Sequence, residues 1–162
     1  SMLLVADLAA YSEAELLRKY GLSIKLVSGG HSIDGSFWGE PEAGIVGGQI
    51  FVRDDTPIHS LLHETAHIVC MTPARRSKLN GDAGGDDLEE CAVCYLQIVL
   101  ASELPGAGEA RLMQDMDDWG YSFRLGSTKR WYEEDAEDAS AWLKRYGLLQ
   151  SDRRPTFRLR QA

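Results

Sequence analysis

The chain has 162 residues, of which 44% are hydrophobic and 26% charged, and its formal net charge is −8. A chain of this length builds one hydrophobic core, so we expect a single domain over residues 1–150 and a short basic tail over residues 151–162. The acidic balance argues against a nucleic-acid partner, and no apolar run reaches the roughly 18–20 residues of a membrane-spanning helix.

The N-terminal third predicts one helix followed by a small sheet. Ser12 and Glu15 have the spacing of a capping box, which predicts a helix there. Three short segments of alternating or continuous apolar residues follow, at 23–27, 45–46 and 49–52. Gly47 and Gly48 separate the last two segments, as is typical of a two-residue hairpin. We therefore expect a small, largely antiparallel sheet.

The next element is a helix predicted from Ile58 to about Met71. Thr56 is suited to the N-cap and Pro57 to the first helical position. Pro73 disfavours helical backbone in the residue before it, so the helix should end ahead of it.

The C-terminal two-thirds of the chain is predicted to be mostly helical. After a Gly- and Asp-rich loop at 80–87, a second helix is predicted from Leu88 to about Ser102, and its nearly continuous apolar sequence indicates burial. Two more helices are expected near 107–118 and 128–146. The tail beyond them carries four arginines against one acid, and we expect it to fray. The fold class predicted is α+β.

His63-Glu64-x-x-His67 is the motif that carries chemistry. Positions i and i+4 lie one turn apart on a helix face, so both imidazoles can reach one ion. Zinc accepts such nitrogens at about 2.0–2.1 Å and takes three protein ligands at a catalytic site. Glu64 can then act as the general base towards a water held by the metal.

His59 extends the histidine stripe by one turn. His59 and His67 are about 12 Å apart along a helix, so a single ion binds either His59 with His63 or His63 with His67. Only the second pair places Glu64 beside the water, and we expect His59 to line the cleft or the surface.

A third ligand must come from another element. Glu89 and Glu90, in the first turn of the second long helix, are the candidates that residue spacing leaves open. A thiolate site built on Cys70, Cys91 and Cys94 is the less favoured alternative, since these cysteines lie in apolar segments and lack a fourth partner. Their odd number and context indicate reduced thiols and a cytoplasmic protein, and the N-terminal residues show no signal-peptide pattern.

The motif followed by Glu89-x-x-Ala92-x-x-Tyr95 resembles the zincin metallopeptidases whose third ligand is glutamate, the gluzincins. In size the chain is most similar to the compact ImmA/IrrE-type peptidases, over roughly residues 44–105. The resemblance implies a zincin-like fold with an active-site helix and a glutamate helix. It also implies one Zn²⁺ per chain with Glu89 as third ligand, and an edge strand that binds extended peptide. We expect the cleft between the strand at 49–53 and the helix at 58–71.

The sequence departs from the family pattern in two places. Ala66 stands where these families usually carry glycine, and Val93 stands where an acid often supports a zinc-bound histidine. That support is expected instead from Asp82, Asp86 or Asp87. A donor that stabilises the oxyanion is expected among three residues that the sequence does not rank: Tyr121, Tyr132 and His31.

These observations predict a zinc metallopeptidase that hydrolyses a peptide or protein substrate, with Glu64 as general base. No serine-hydrolase elbow or phosphate-binding loop is present. Three alternatives stay open: hydrolysis of a non-peptide amide, a non-catalytic zinc-binding regulatory or interaction module, and a toxin-like or phage-related effector. The sequence leaves the oligomeric state and the identity of the substrate open.

Overall fold

The structure is a computed structural model that describes residues 1–36, 41–79 and 83–162. These residues form a short 3-10 turn, seven α-helices and three strands. In chain order they are the 3-10 turn Val5–Asp7, α1 Ser12–Lys19, β1 Ser23–Leu26, β2 Gly44–Val46, β3 Gln49–Val52, α2 Ile58–Cys70, α3 Pro73–Ser77, α4 Asp87–Ala101, α5 Glu109–Trp119, α6 Thr128–Glu134 and α7 Glu137–Arg145. The predicted α+β class is confirmed. Within the described ranges no helix has the length and apolar character needed to cross a bilayer.

The sheet is mixed, with the strand order β1-β3-β2. β2 and β3 form the predicted hairpin through Gly47 and Gly48, and Val46 pairs with Gln49 across it. β1 runs parallel to β3, however, so the expectation of a largely antiparallel sheet was wrong. A two-residue turn makes only the two strands that it joins antiparallel and leaves the direction of a third strand open. The connection from β1 to β3 spans more than 20 residues, which is long enough for a parallel crossover.

The helix that carries the motif, α2, begins and ends within a residue of its predicted bounds. Pro57 is its N-cap, while the hydroxyl of Thr56 accepts from the backbone N–H of Arg53 at 2.9 Å and closes the preceding turn. Nearly every side chain of α2 is buried, and only His63 is partly exposed. The histidines therefore lie inside the molecule and not on a solvated helix face.

The glutamate helix α4 packs against α2, α5 and α7, and with α2 it forms the centre of the core. Its predicted bounds are confirmed within a residue. The helix expected at 128–146 is divided into α6 and α7 at residues 135–136, and the short α3 has no counterpart in the prediction.

The C-terminal tail is packed, which contradicts the expected fraying. Arg160 is buried, and its backbone N–H donates to the carbonyl of Val69 at 2.9 Å. The tail therefore belongs to the folded unit, and it contacts the end of α2 that carries His67.

Candidate metal centre and adjoining cavity

Three side chains from two helices converge on one point. His63 and His67 face the same side of α2, and their Nε2 atoms lie 3.1 Å apart. Glu90, in the first turn of α4, places Oε2 3.6 Å from Nε2 of His67. The ligand atoms of the three residues all lie within 4.8 Å of one another, so the group could hold a metal ion.

The acid in this group is Glu90, whereas the family resemblance implies Glu89 as the third ligand. Glu89 is buried, but its carboxylate accepts from Arg75 at 2.8 and 2.9 Å and lies 3.4 Å from Nη1 of Arg160. Successive residues of a helix point about 100° apart, so only one of two adjacent glutamates can face α2. The inward position of Glu89 is used by an ion-pair cluster at the end of α2.

Gln97 determines which imidazole nitrogen of His63 is unprotonated. Its Nε2 donates to the backbone carbonyl of His59 at 2.8 Å, which turns its Oε1 towards Nδ1 of His63 at 2.9 Å. A carbonyl oxygen only accepts, so Nδ1 of His63 carries the proton and Nε2 presents its lone pair to His67 and Glu90. This is the tautomer that a metal ligand needs.

Among the described residues the partner of His63 is therefore Gln97, and not one of the aspartates that the sequence predicted for this role. Asp86 caps α4 by accepting from the backbone N–H of Glu89 at 2.8 Å, and Asp87 is the exposed first residue of that helix. Asp82 lies outside the described residues. A signal for Gln97 was present in the sequence: it follows Glu90 by seven residues, on the same face of an otherwise apolar helix.

The loop before α4 orients both glutamates. The backbone N–H of Gly85 donates to Oε1 of Glu90 at 3.1 Å, which leaves Oε2 on the side of the histidines. A Cβ at Gly85 would collide with the carboxylate of Glu89, so a larger residue here would displace that side chain.

The histidines are held in the neutral form. Burial lowers the pKa of His63, against the opposing effect of the hydrogen bond to Gln97. Burial also lowers the pKa of His67 to about 2, and the positive charge of Arg75 acts in the same direction. Neutral imidazole is the form that binds metal ions.

A cavity of about 300 Å³ opens beside His63. Its lining residues come from the first half of α2, the end of α5 and the segment before β2, and they are Glu42, Ser60, His63, Glu64, Trp119, Gly120 and Tyr121. Glu64 thus shares one cavity with the first histidine of the motif. The expected cleft between residues 49–53 and α2 is not the one observed, because β3 is the central strand of the sheet.

The wall of the cavity opposite α2 is formed by the residues at which α5 ends. Gly120 adopts φ +111°, a left-handed conformation that glycine reaches without strain, and Trp119 and Tyr121 on either side of it both line the cavity. The hydroxyl of Tyr121 lies 3.1 Å from Nδ1 of His59 and 3.2 Å from Nε2 of Gln97.

Of the three candidates for oxyanion stabilisation, Tyr121 is the one that lines this cavity in the described part of the chain. Tyr132 lines a different pocket, and His31 is exposed. His59 is buried behind the cavity, with its ring centroid 4.9 Å from that of Trp119, so it does not lie at the surface.

The cysteines take no part in this group. All three are free thiols, and burial raises the pKa of Cys70 and of Cys94. A protonated, buried thiol is a poor metal ligand. The group with metal-ligand geometry among the described residues consists of two histidines and a glutamate.

No protein-family model, curated protein or solved structure matches this chain. The resemblance to gluzincins therefore stays a prediction that depends on residues 63–67 and on a glutamate of α4. The move from Glu89 to Glu90 weakens one part of it, because the small and aromatic residues were counted from Glu89.

Proposed function

We propose that this protein is a zinc-dependent metallopeptidase in which His63, His67 and Glu90 hold the ion and Glu64 is the general base. The observation that carries the proposal is the convergence of the three ligand atoms next to a cavity that Glu64 also lines. Two imidazoles and a carboxylate are a donor set found at catalytic zinc sites.

The spacing of the ligand atoms supports a tetrahedral ion. Ligands that are about 2.0–2.1 Å from a tetrahedral zinc lie about 3.3 Å from one another. Two of the three separations are 3.1 Å, between the two imidazole nitrogens, and 3.6 Å, between Nε2 of His67 and Oε2 of Glu90, on either side of that value. The third, between His63 and Glu90, is within 4.8 Å.

The residues around the ion then have separate tasks. A bound zinc supplies a Lewis acid that polarises a water and the substrate carbonyl. Glu64 accepts the proton of the attacking water and later delivers it to the leaving amine. Gln97 holds His63 in the ligating tautomer, and Gly85 holds Glu90 with one oxygen towards the histidines.

Two features favour turnover over a purely structural zinc. A structural site is closed by four protein ligands, whereas the described residues supply three. It also adjoins a cavity that carries a potential base, which a structural ion does not require. The free thiols support a reducing compartment such as the cytoplasm.

Elemental analysis of the purified protein tests the metal. We expect about one zinc per chain, lost in His67→Ala and retained in His31→Ala, which removes an exposed histidine as a matched control. Zinc that survives the loss of His67 would contradict the ligand set.

A peptide library profiled by mass spectrometry tests the reaction. The wild-type protein should cleave library members, and Glu64→Gln should retain zinc but lose about 10²–10⁴-fold in rate, because an amide cannot take the proton. A zinc-loaded wild-type protein with no more cleavage than Glu64→Gln would favour the non-catalytic module.

A further inference from the structure

The cavity beside Glu64 carries a second carboxylate that the proposed chemistry does not use. Glu42, in the segment before β2, is partly buried, and its Oε1 accepts from the indole Nε1 of Trp119 at 2.8 Å. This hydrogen bond holds the carboxylate in one place. In the described part of the chain Glu42 forms no ion pair, and no lysine or arginine lines the cavity.

The aromatic part of the same wall also favours a cation. Trp119 is 42% exposed although its indole packs against His59, so part of the residue stays open to a bound group. An indole face attracts a cation by about 0.5–2 kcal/mol, depending on how dry the contact is. The wall also lies at the C-terminal end of α5, where the helix dipole is negative.

Glu42 is costly to keep ionised without a partner. Burial raises the pKa of Glu42, and the hydrogen bond from Trp119 offsets this only in part. A positively charged group in the cavity would restore the lost solvation of the carboxylate and would contact the indole at the same time. A volume of about 300 Å³ suits one side chain or one chain terminus.

We infer that this cavity binds a positively charged group of the substrate, an ammonium or a guanidinium, between Glu42 and Trp119. The position of that group next to the scissile bond rests on the proposed function, but the binding of the cation does not. Glu42 is then the residue that selects the substrate, and Glu64 is the one that acts on it.

Nuclear magnetic resonance of the Trp119 indole N–H tests the binding directly, because this proton lies in the hydrogen bond to Glu42. Four small probes separate the sources of charge: leucinamide carries only an α-ammonium, Nα-acetyl-lysinamide and Nα-acetyl-argininamide carry only a side-chain cation, and Nα-acetyl-norleucinamide carries none. We expect at least one cationic probe to shift the resonance in a saturable way and the neutral probe to leave it unchanged.

Matched variants assign the effect to Glu42. Glu42→Gln keeps the shape of the side chain but should weaken cationic binding at least tenfold, whereas Glu15→Gln removes an exposed glutamate of α1 and should not. Circular dichroism and zinc content show whether each variant is folded. Equal binding of charged and neutral probes, or no response to any probe, would overturn the inference whatever the activity of the protein.

The peptide library distinguishes the two proposals. If the wild type cleaves peptides with a preference for a basic residue or a free N-terminus, and Glu42→Gln loses the preference but still cleaves neutral peptides, both proposals stand. Cleavage without a charge preference contradicts the cation site alone. Probe binding without any cleavage contradicts the peptidase alone.

Discussion

Gln97 is fully buried, and each polar atom of its amide has a partner in the site. It holds the tautomer of His63, so its loss should be measurable in metal affinity. Gln97→Leu should weaken zinc binding by about 10–100-fold, the usual cost of removing a residue that supports a ligand. Competition with a chromophoric chelator measures this. Gln97→Glu keeps the acceptor and should bind zinc more tightly than Gln97→Leu, and equal affinities would contradict the orienting role.

Substitutions of Glu89 and Glu90 give a second prediction, because one should change the stability of the protein and the other its zinc affinity. Glu90→Gln should abolish tight zinc binding and change the stability of the metal-free protein little. Glu89→Gln should leave two arginines without their carboxylate and lower the free energy of unfolding by about 2–4 kcal/mol, with a discount for the partial exposure of Arg75.

Chelator competition and urea denaturation of the metal-free protein separate the two outcomes. Loss of zinc in Glu89→Gln together with normal zinc in Glu90→Gln would reinstate the ligand that the sequence favoured.

Glu89 and Glu90 also show which part of the site can be predicted from residue spacing and which part cannot. The i, i+4 histidines belong to a single helix, so their common face follows from helix geometry alone. The third ligand depends on how α4 is rotated against α2, which side-chain packing decides. Glu89 points inward, but Arg75 and Arg160 meet it there, and neither is near it in sequence.

At the scale of elements, the C-terminal end of α2 shows how the tail supports the site. The last carbonyls of a helix lack partners within it. Arg76 donates to the carbonyls of Ile68 and Met71, at 3.0 and 2.9 Å. Arg160 donates to the two carbonyls between them, through its backbone N–H at 2.9 Å and its Nη1 at 3.2 Å. Two cations thus satisfy the negative end of the helix that carries His67.

Arg160 also joins this end of α2 to other helices. Its guanidinium lies 3.4 Å from the carboxylate of Glu89 in α4 and 4.0 Å from the ring centroid of Tyr146, which directly follows α7. The contact with Tyr146 has the geometry of a cation–π interaction. One buried side chain therefore connects three parts of the core.

Arg160→Ala should lower the free energy of unfolding by about 2–4 kcal/mol, because it removes a partly buried ion pair, a helix cap and a cation–π contact together. Arg158→Ala, two residues away and exposed, is the control and should change it by less than about 0.5 kcal/mol. Chemical denaturation measures both, and equal effects of the two substitutions would mean that the tail contributes little.

The elements that were predicted correctly are those determined by residues close together in sequence. Periodicity and proline placed α2 and α4, and the glycine pair placed the hairpin. The parallel pairing of β1 and the packed tail depend on contacts more than 20 residues apart in sequence, and the tail has no periodicity that would indicate them. Its arginines resembled a solvated basic segment, although one of them is a core residue.

For the whole molecule, the buried histidines predict sensitivity to acid. Burial lowers the pKa of His59 to about 3 and of His67 to about 2, while an unfolded histidine titrates near 6.5. The unfolded chain therefore binds more protons below that value. These residues contribute a stability that is present above about pH 6.5 and lost as the pH falls.

Between about pH 7 and 5 the loss should be on the order of 2 kcal/mol for each such histidine in the metal-free protein. Urea denaturation across this range measures the slope, and His59→Asn should make it shallower by about one proton. A slope that is the same with and without His59 would show that this imidazole is protonated in the folded state.

The adjacency of Glu89 and Glu90 creates an ambiguity of register that the rest of α4 resolves. A rotation of this helix by one residue would bring Glu89 into the position of Glu90, facing the histidines, and Leu88 into the position of Glu89. It would also replace Gln97 with Leu96 opposite His63, because each lies seven residues after its glutamate. The imidazole would then lose its acceptor, and a buried amide would lose its partners, at a cost of about 1–3 kcal/mol for each unsatisfied group. We infer that Gln97 fixes the rotation of α4 about its own axis, as a single buried polar residue fixes the register of a coiled coil.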